Sequence, residues 1–262
     1  MKTKNNIQNN PIKTGLKTLL YALVLFFCEQ LATANMILLS RSPSNTLYAF
    51  GVFVGLITSI LWTGSYIIDN NQKNNLSTFT WQGNDAFNYK MPRILLLGIG
   101  VTLIMFTFTL IVSSIERYGF HVMPYSANES SLHIQLTTNP MTNMLLFIIY
   151  AGLGPFVEEF IFRYLLIKPA NDPLYCNKNR KPILSRNIRT ILSAVIFTVI
   201  HIIAQISNVN NFASIVQFIS TTLIYATLAV ILSLIYYKKS GLVTNTVVHG
   251  VYNFIAILLT LN

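Results

Sequence analysis

Charge is scarce in this chain. Only 10% of its 262 residues are Asp, Glu, Lys or Arg, while 53% are hydrophobic. A soluble domain is about a quarter charged, so an ordinary water-facing surface is excluded. Acidic residues are rarest, eight in all, so each one inside an apolar run calls for an explanation. Two cysteines cannot build a disulfide framework: Cys28 sits in the first apolar run and Cys176 in a basic loop, and both read as bystanders. Alternating ten-residue strand patterns are absent, which argues against an outer-membrane barrel. There is no internal repeat and no low-complexity segment beyond the Asn/Lys-rich first ten residues. No small-residue cleavage site convincingly follows the basic leader, so the first apolar run reads as a retained helix.

What the chain has instead is long apolar runs. Each is long enough to cross ~30 Å of hydrocarbon as a helix. The reading is an all-α, polytopic transmembrane bundle of about seven spans, near 16–40, 47–68, 93–115, 143–167, 188–206, 212–237 and 242–261. The first looks least regular, because Glu29, Gln30 and Asn35 interrupt it. Residues 1–142 hold three helices and their loops; residues 143–262 hold the other four. No soluble domain is appended. Gly98, Gly100, Gly152 and Gly154 suit close helix packing. Trp62, Tyr118, Tyr236 and Tyr237 suit interface anchoring.

The formal charge of +10 raises the question of nucleic acid, and its distribution answers it. With the N-terminus in the cytoplasm, the inside segments carry Lys2, Lys4, Lys13 and Lys17; Lys73, Lys90 and Arg93; Lys168, Lys178, Arg180, Lys181, Arg186 and Arg189; and Lys238 and Lys239. Only Arg41 and Arg117 fall outside. This bias is the positive-inside pattern, and an anionic inner leaflet is its natural partner. The expectation is a multi-pass cell-membrane protein, most naturally of a bacterial plasma membrane given the Asn/Lys bias, with no nucleic-acid partner. The oligomeric state is left open.

Ionisable residues within spans are costly and are functional candidates by default. Here they are Glu29, Glu158, Glu159, Arg163, His201 and His249. Counted from the nearest inner basic residue, Glu158, His201 and His249 lie about 15, 18 and 15 Å deep. Three helices therefore place ionisable groups in one layer. Glu159 and Arg163 are four apart and can pair on one face, leaving Glu158 about 100° away to meet another helix. That division suits a general base beside a structural ion pair. His249 and Asn253 are also four apart; an imidazole and a carboxamide side by side can donate to a developing oxyanion. His201, a turn beyond Phe197, can orient a water or shuttle its proton. The bland readings are satisfied interhelical histidines and a purely structural Glu159–Arg163 pair, and Glu29 is ambiguous among a kink cap, a bundle-facing group and a water-filled entry. His121 and His133 read as solvated loop residues.

These three motifs resemble the signature of the CPBP family of intramembrane peptidases (CAAX protease and bacteriocin-processing, or Abi). The family pattern is Glu-Glu-x-x-x-Arg, Phe-x-x-x-His and His-x-x-x-Asn. It is met by Glu158-Glu159 with Arg163, Phe197 with His201, and His249 with Asn253. The resemblance covers about residues 143–261. It implies a membrane-embedded site open to the cytosolic side. Glu158 would activate water with help from His201, Glu159 would complete the catalytic carboxylate pair, and His249 with Asn253 would hold the oxyanion. The implied substrate is a peptide or lipidated peptide of CAAX, bacteriocin-like or signalling type. Zinc held by Glu158, His201 and His249 stays open, although the zinc-protease His-Glu-x-x-His motif is missing. The competing readings are a non-proteolytic scaffold or self-immunity protein and, further off, an ion-coupled transporter, for which broken paired helices and inverted repeats are lacking.

Overall fold

The computed structural model describes residues 11–42, 44–74, 91–123, 140–167, 184–239 and 241–260. Among the described residues there are seven helices: α1 (Pro11–Arg41), α2 (Thr46–Asn74), α3 (Met91–Ser114), a compound α4 (140–165), α5 (Arg186–Ile202), α6 (Phe212–Lys239) and α7 (Leu242–Thr260). No strand occurs among the described residues. Six of these helices, among the described residues, are long and apolar enough to cross a membrane. The seventh, α5, has 17 residues and continues as a 3₁₀ segment over Ile203–Asn208. The chain is thus an all-helical, multi-pass membrane bundle. His133 and Cys176 lie outside the described residues; His121 is exposed.

The surface explains the composition. Leu96, Leu103 and Leu110 recur every seven residues on α3 and are 66%, 64% and 68% exposed; such a stripe belongs against lipid tails. On α5 the usual amphipathic pattern is inverted. Thr190, Ser193 and Phe197 turn inward while Ile191, Val195 and Val199 are exposed.

Between helices the core runs along α4 and α7. Ala32, Met36 and Leu39 of α1 pack with Leu145, Leu146 and Ile149 of α4 and Ile257 of α7. One level along, Leu25 of α1 meets Leu153, Val157 and Phe160. Val101 and Met105 of α3 meet Leu228 and Leu232 of α6 and Val248 of α7.

The expected irregularity of the first helix is not seen. Helix α1 runs unbroken because its polar groups bond along the helix: Asn35 Nδ2 donates to the Leu31 carbonyl at 2.8 Å, and Thr33 Oγ1 donates to Glu29 at 3.1 Å. The irregular helix is α4. Its regular turns at Pro140–Phe147 and Gly154–Glu159 alternate with wide π turns at Ile148–Leu153 and Phe160–Leu165. Pro155 supplies a cause: it has no N–H to give the carbonyl of Ala151, four residues back.

The close-packing glycines are only partly those expected. Gly98 does approach Val251 of α7, but a side chain at Gly100 or Gly152 would meet nothing. The tight contacts are Gly51 against the Asn35 side chain, Gly55 against Ala32, and Gly250 against the Ala151 carbonyl, where a Cβ would stand 2.6 Å from a backbone oxygen. Helix α7 therefore lies directly on the carbonyl to which Pro155, four residues on, cannot donate. Of the aromatic anchors, Tyr118 is exposed, but Tyr236 is 2% exposed and belongs to the core. Trp62 ties α2 to α1, its Nε1 donating to the Tyr21 carbonyl at 3.1 Å.

Candidate active site

The wide turns of α4 bracket Glu158 and Glu159 and aim them at different neighbours. Glu159 is fully buried and fully engaged. Its Oε2 accepts from Asn245 Nδ2 at 2.7 Å and lies 3.3 Å from Arg163 Nε, while its Oε1 accepts from His249 Nδ1 at 3.0 Å. Arg163, also fully buried, donates from Nη2 to the Ala229 carbonyl at 3.4 Å. Its guanidinium lies 4.5 Å from the centroid of the Phe197 ring, a cation–π contact. Asn245 completes the network by donating to the Leu232 carbonyl at 2.9 Å.

Glu158 is the opposite case. Its side chain is 25% exposed, and its Oε2 has no hydrogen-bond partner. That oxygen faces His201 Nε2 at 3.7 Å and His249 Nε2 at 3.8 Å. Both imidazoles are fixed through the other nitrogen. His201 Nδ1 lies 2.8 Å from the Phe197 carbonyl, and His249 Nδ1 meets Glu159. Carbonyl and carboxylate oxygens only accept, so each Nδ1 carries the hydrogen. In the neutral rings each Nε2 then turns a lone pair toward Glu158.

Phe197 holds these parts in register. Its ring stacks on His201 with centroids 4.1 Å apart and lies 6.1 Å from His249. It also meets Phe162 edge-on at 5.3 Å. One aromatic thus packs against both histidines and the guanidinium, a physical reason for a Phe one turn before His201. Tyr225 of α6 closes the far side of His201, with ring centroids 4.8 Å apart. Helix α5 is fastened to α4 by Ser193 Oγ, which donates to the Phe162 carbonyl.

Asn253 sits apart from His249's carboxylate contacts. Its Nδ2 donates to the Tyr150 carbonyl at 2.8 Å, inside the first wide turn of α4. One amide hydrogen is therefore spent on bracing α4, and one remains.

Sequence spacing thus brought out the two glutamates, Arg163 and the two histidines, which the structure gathers. Asn245 escaped it, although it stands four residues before His249 on the same face of α7. Also unforeseen is Glu116, in the π turn Ile115–Gly119 that follows α3, which is 4% exposed. Among the described residues, no group of three or more His, Cys, Asp or Glu side chains is arranged to hold a metal ion. In the expected zinc set, the Nε2 atoms of His201 and His249 lie 3.7 and 3.8 Å from Glu158 Oε2, two imidazoles facing one carboxylate oxygen.

No curated protein and no solved structure matches the chain. Residues 140–255 match the family model described as type II CAAX prenyl endopeptidase, Rce1-like. The match spans α4 to α7, with every residue of the Glu158 and Glu159 clusters inside it. Residues 140–255, a little under half of the chain, are thus similar to an Rce1-like type II CAAX prenyl endopeptidase domain, in keeping with the CPBP family that the three motifs resemble.

Proposed function

We propose that the chain hydrolyses a peptide bond of a membrane-associated peptide, with Glu158 as the general base. The observation that carries this reading is the contrast between two adjacent carboxylates: Glu159 has every oxygen engaged, while Glu158 Oε2 has no partner and is faced by two imidazole nitrogens. A carboxylate oxygen and two lone pairs meeting at one place are all acceptors, so a proton donor or a cation fits among them, and this reading places a proton donor there. Water is that donor and also the nucleophile.

In the reaction, Glu158 takes one proton from water as its oxygen bonds to the scissile carbonyl carbon, and His201 orients the same water. The carbonyl π electrons move onto oxygen. That oxyanion is met by the remaining N–H of Asn253 and by His249 once its Nε2 has taken a proton from solvent, a charge that Glu159 stabilises through Nδ1. Collapse re-forms the carbonyl and breaks the C–N bond, and protonated Glu158 returns the proton to the leaving amine. Arg163 and Asn245 hold Glu159 in place and touch no reacting atom.

The substrate class is a peptide or lipidated peptide at the cytosolic face of a bacterial plasma membrane, of CAAX, bacteriocin-like or signalling type. The test uses purified full-length protein in detergent or proteoliposomes with internally quenched peptides. The isosteric Glu158→Gln variant is expected to lose about 10²- to 10⁴-fold in kcat/KM with its melting temperature preserved. Activity is expected to survive chelation, with no stoichiometric metal by elemental analysis. Full activity in Glu158→Gln refutes the base assignment; loss on chelation, restored by zinc, shifts the chemistry to a metal. Where a Glu158→Ala variant that still folds keeps its cellular function, the protein is a scaffold or immunity factor instead.

A further inference from the structure

The imidazole of His201 is held by three contacts, and two of them belong to its own helix. Its Nδ1 donates to the Phe197 carbonyl, and one face stacks on the Phe197 ring with centroids 4.1 Å apart. Phe197 stands one turn earlier on α5, so both contacts move with α5. They set the imidazole against its own helix and not against Glu158 of α4. The regular turns of α5 also end at Ile202, the next residue, where the chain tightens into the 3₁₀ segment Ile203–Asn208. Helix ends fray, and the outer torsion of a histidine is broad and roughly two-fold. A half-turn about that torsion would put a carbon where Nε2 now faces Glu158.

The third contact comes from another helix. Tyr225 of α6 lies on the other face of the imidazole, with ring centroids 4.8 Å apart and planes 32° from parallel. Aromatic rings thus cover both faces of His201, and the Nε2 edge is left to meet Glu158 at 3.7 Å. Tyr225 is itself seated, against the cluster of Phe162, Ala194, Phe197 and Ala229. One turn further along α6, the Ala229 carbonyl accepts from Arg163, which pairs with Glu159. A single turn of α6 therefore reaches the histidine in front of Glu158 and the cation behind Glu159. Tyr225 belongs to none of the three sequence motifs.

We propose that Tyr225 is a positioning residue whose ring, opposite that of Phe197, clamps the His201 imidazole with Nε2 toward Glu158. This rests on the endopeptidase reading above. Tyr225 acts through His201 and by its ring face, not its hydroxyl. Helix α6 is then part of the catalytic unit, although it carries none of the motif residues.

The test pairs Tyr225→Leu, which removes the ring, with Tyr225→Phe, which keeps it, in full-length protein in proteoliposomes with the quenched peptides. Tyr225→Met is the second ring-free variant. Tyr225→Leu is expected to lower kcat by about 10- to 100-fold, the scale of a misplacement near 1 Å, with little change in KM. Tyr225→Phe should stay close to wild type in both. In a His201→Gln background Tyr225→Leu should cost nothing further, because its effect runs through the imidazole. Equal losses in Tyr225→Leu and Tyr225→Phe overturn the proposal, since the hydroxyl would then be what matters. So does an unchanged kcat in Tyr225→Leu, and so do losses that multiply in the double variant, as a ring that merely supports the fold would give. Nitrogen-15 NMR of histidine-labelled protein reads the imidazole without cleavage. The His201 signals, identified by their loss in His201→Gln, should show one Nδ1–H species in wild type and Tyr225→Phe and more than one in Tyr225→Leu. If no peptide is cleaved yet the signals change in this way, the clamp stands and the endopeptidase reading falls. Identical signals in wild type and Tyr225→Leu overturn the clamp.

Discussion

Replacing Gly250 by alanine should disable the site without touching a reacting group. A Cβ there would stand 2.6 Å from the Ala151 carbonyl oxygen, where ordinary contact begins at 3.4 Å. The obstacle is backbone, so no side chain can rotate away. One helix must retreat by about 0.8 Å, at a cost of about 1–3 kcal/mol for an overpacked contact. His249 is the neighbouring residue on α7, and a misplacement near 1 Å can cost on the order of 10²-fold in rate. The expected result is a lower melting temperature in detergent with a kcat/KM reduced by about two orders of magnitude. Gly100→Ala and Gly152→Ala are the controls, because a methyl at either position meets nothing within 4 Å; both should stay within about 1 kcal/mol of wild type. A Gly250→Ala protein that melts and cleaves like the wild type would refute the close approach of α7 to α4.

Two further substitutions probe the brace behind the reacting groups. Arg163→Met strands the buried Glu159 carboxylate and should destabilise by about 3–5 kcal/mol, whereas Arg163→Met with Glu159→Gln should recover much of that loss; additive losses in a thermal-melt double-mutant cycle would show that the two do not act as a pair. Phe197→Leu removes the ring that packs on His201 and the guanidinium. It should cost about 2 kcal/mol and lower kcat more than KM, and unchanged stability and kinetics would remove Phe197 from the site's support.

The spans were legible because lipid imposes a crude rule: a helix must be apolar for about twenty residues. The expected 212–237 and 242–261 are the observed Phe212–Lys239 and Leu242–Thr260 within two residues at each end. Spacing also revealed Glu159 with Arg163, since i and i+4 share a helix face whatever surrounds it. It did not reveal the wide turns of α4, where Asn253 of α7 and Ser193 of α5 donate to α4 carbonyls from more than thirty residues away in sequence. Nor could it separate Gly250, pressed on a carbonyl, from Gly152, facing open space. Asn245 was obscured by its place near the start of α7, where asparagine ordinarily serves as a cap. Glu116 was obscured by its place at the end of an apolar run.

The wide turns of α4 also bear on how the protein is made. In hydrocarbon, a carbonyl without a donor is as unwelcome as a charge is rare. Those of Tyr150 and Phe162 receive donors from Asn253 of α7 and Ser193 of α5, and that of Ala151 lies against Gly250. All three partners are synthesised after α4. During membrane insertion α4 therefore lacks these contacts until the helices that follow have joined it. The polar turns that shape the site also delay its assembly, and a nascent chain released before α7 would leave its most vulnerable segment open to membrane quality control.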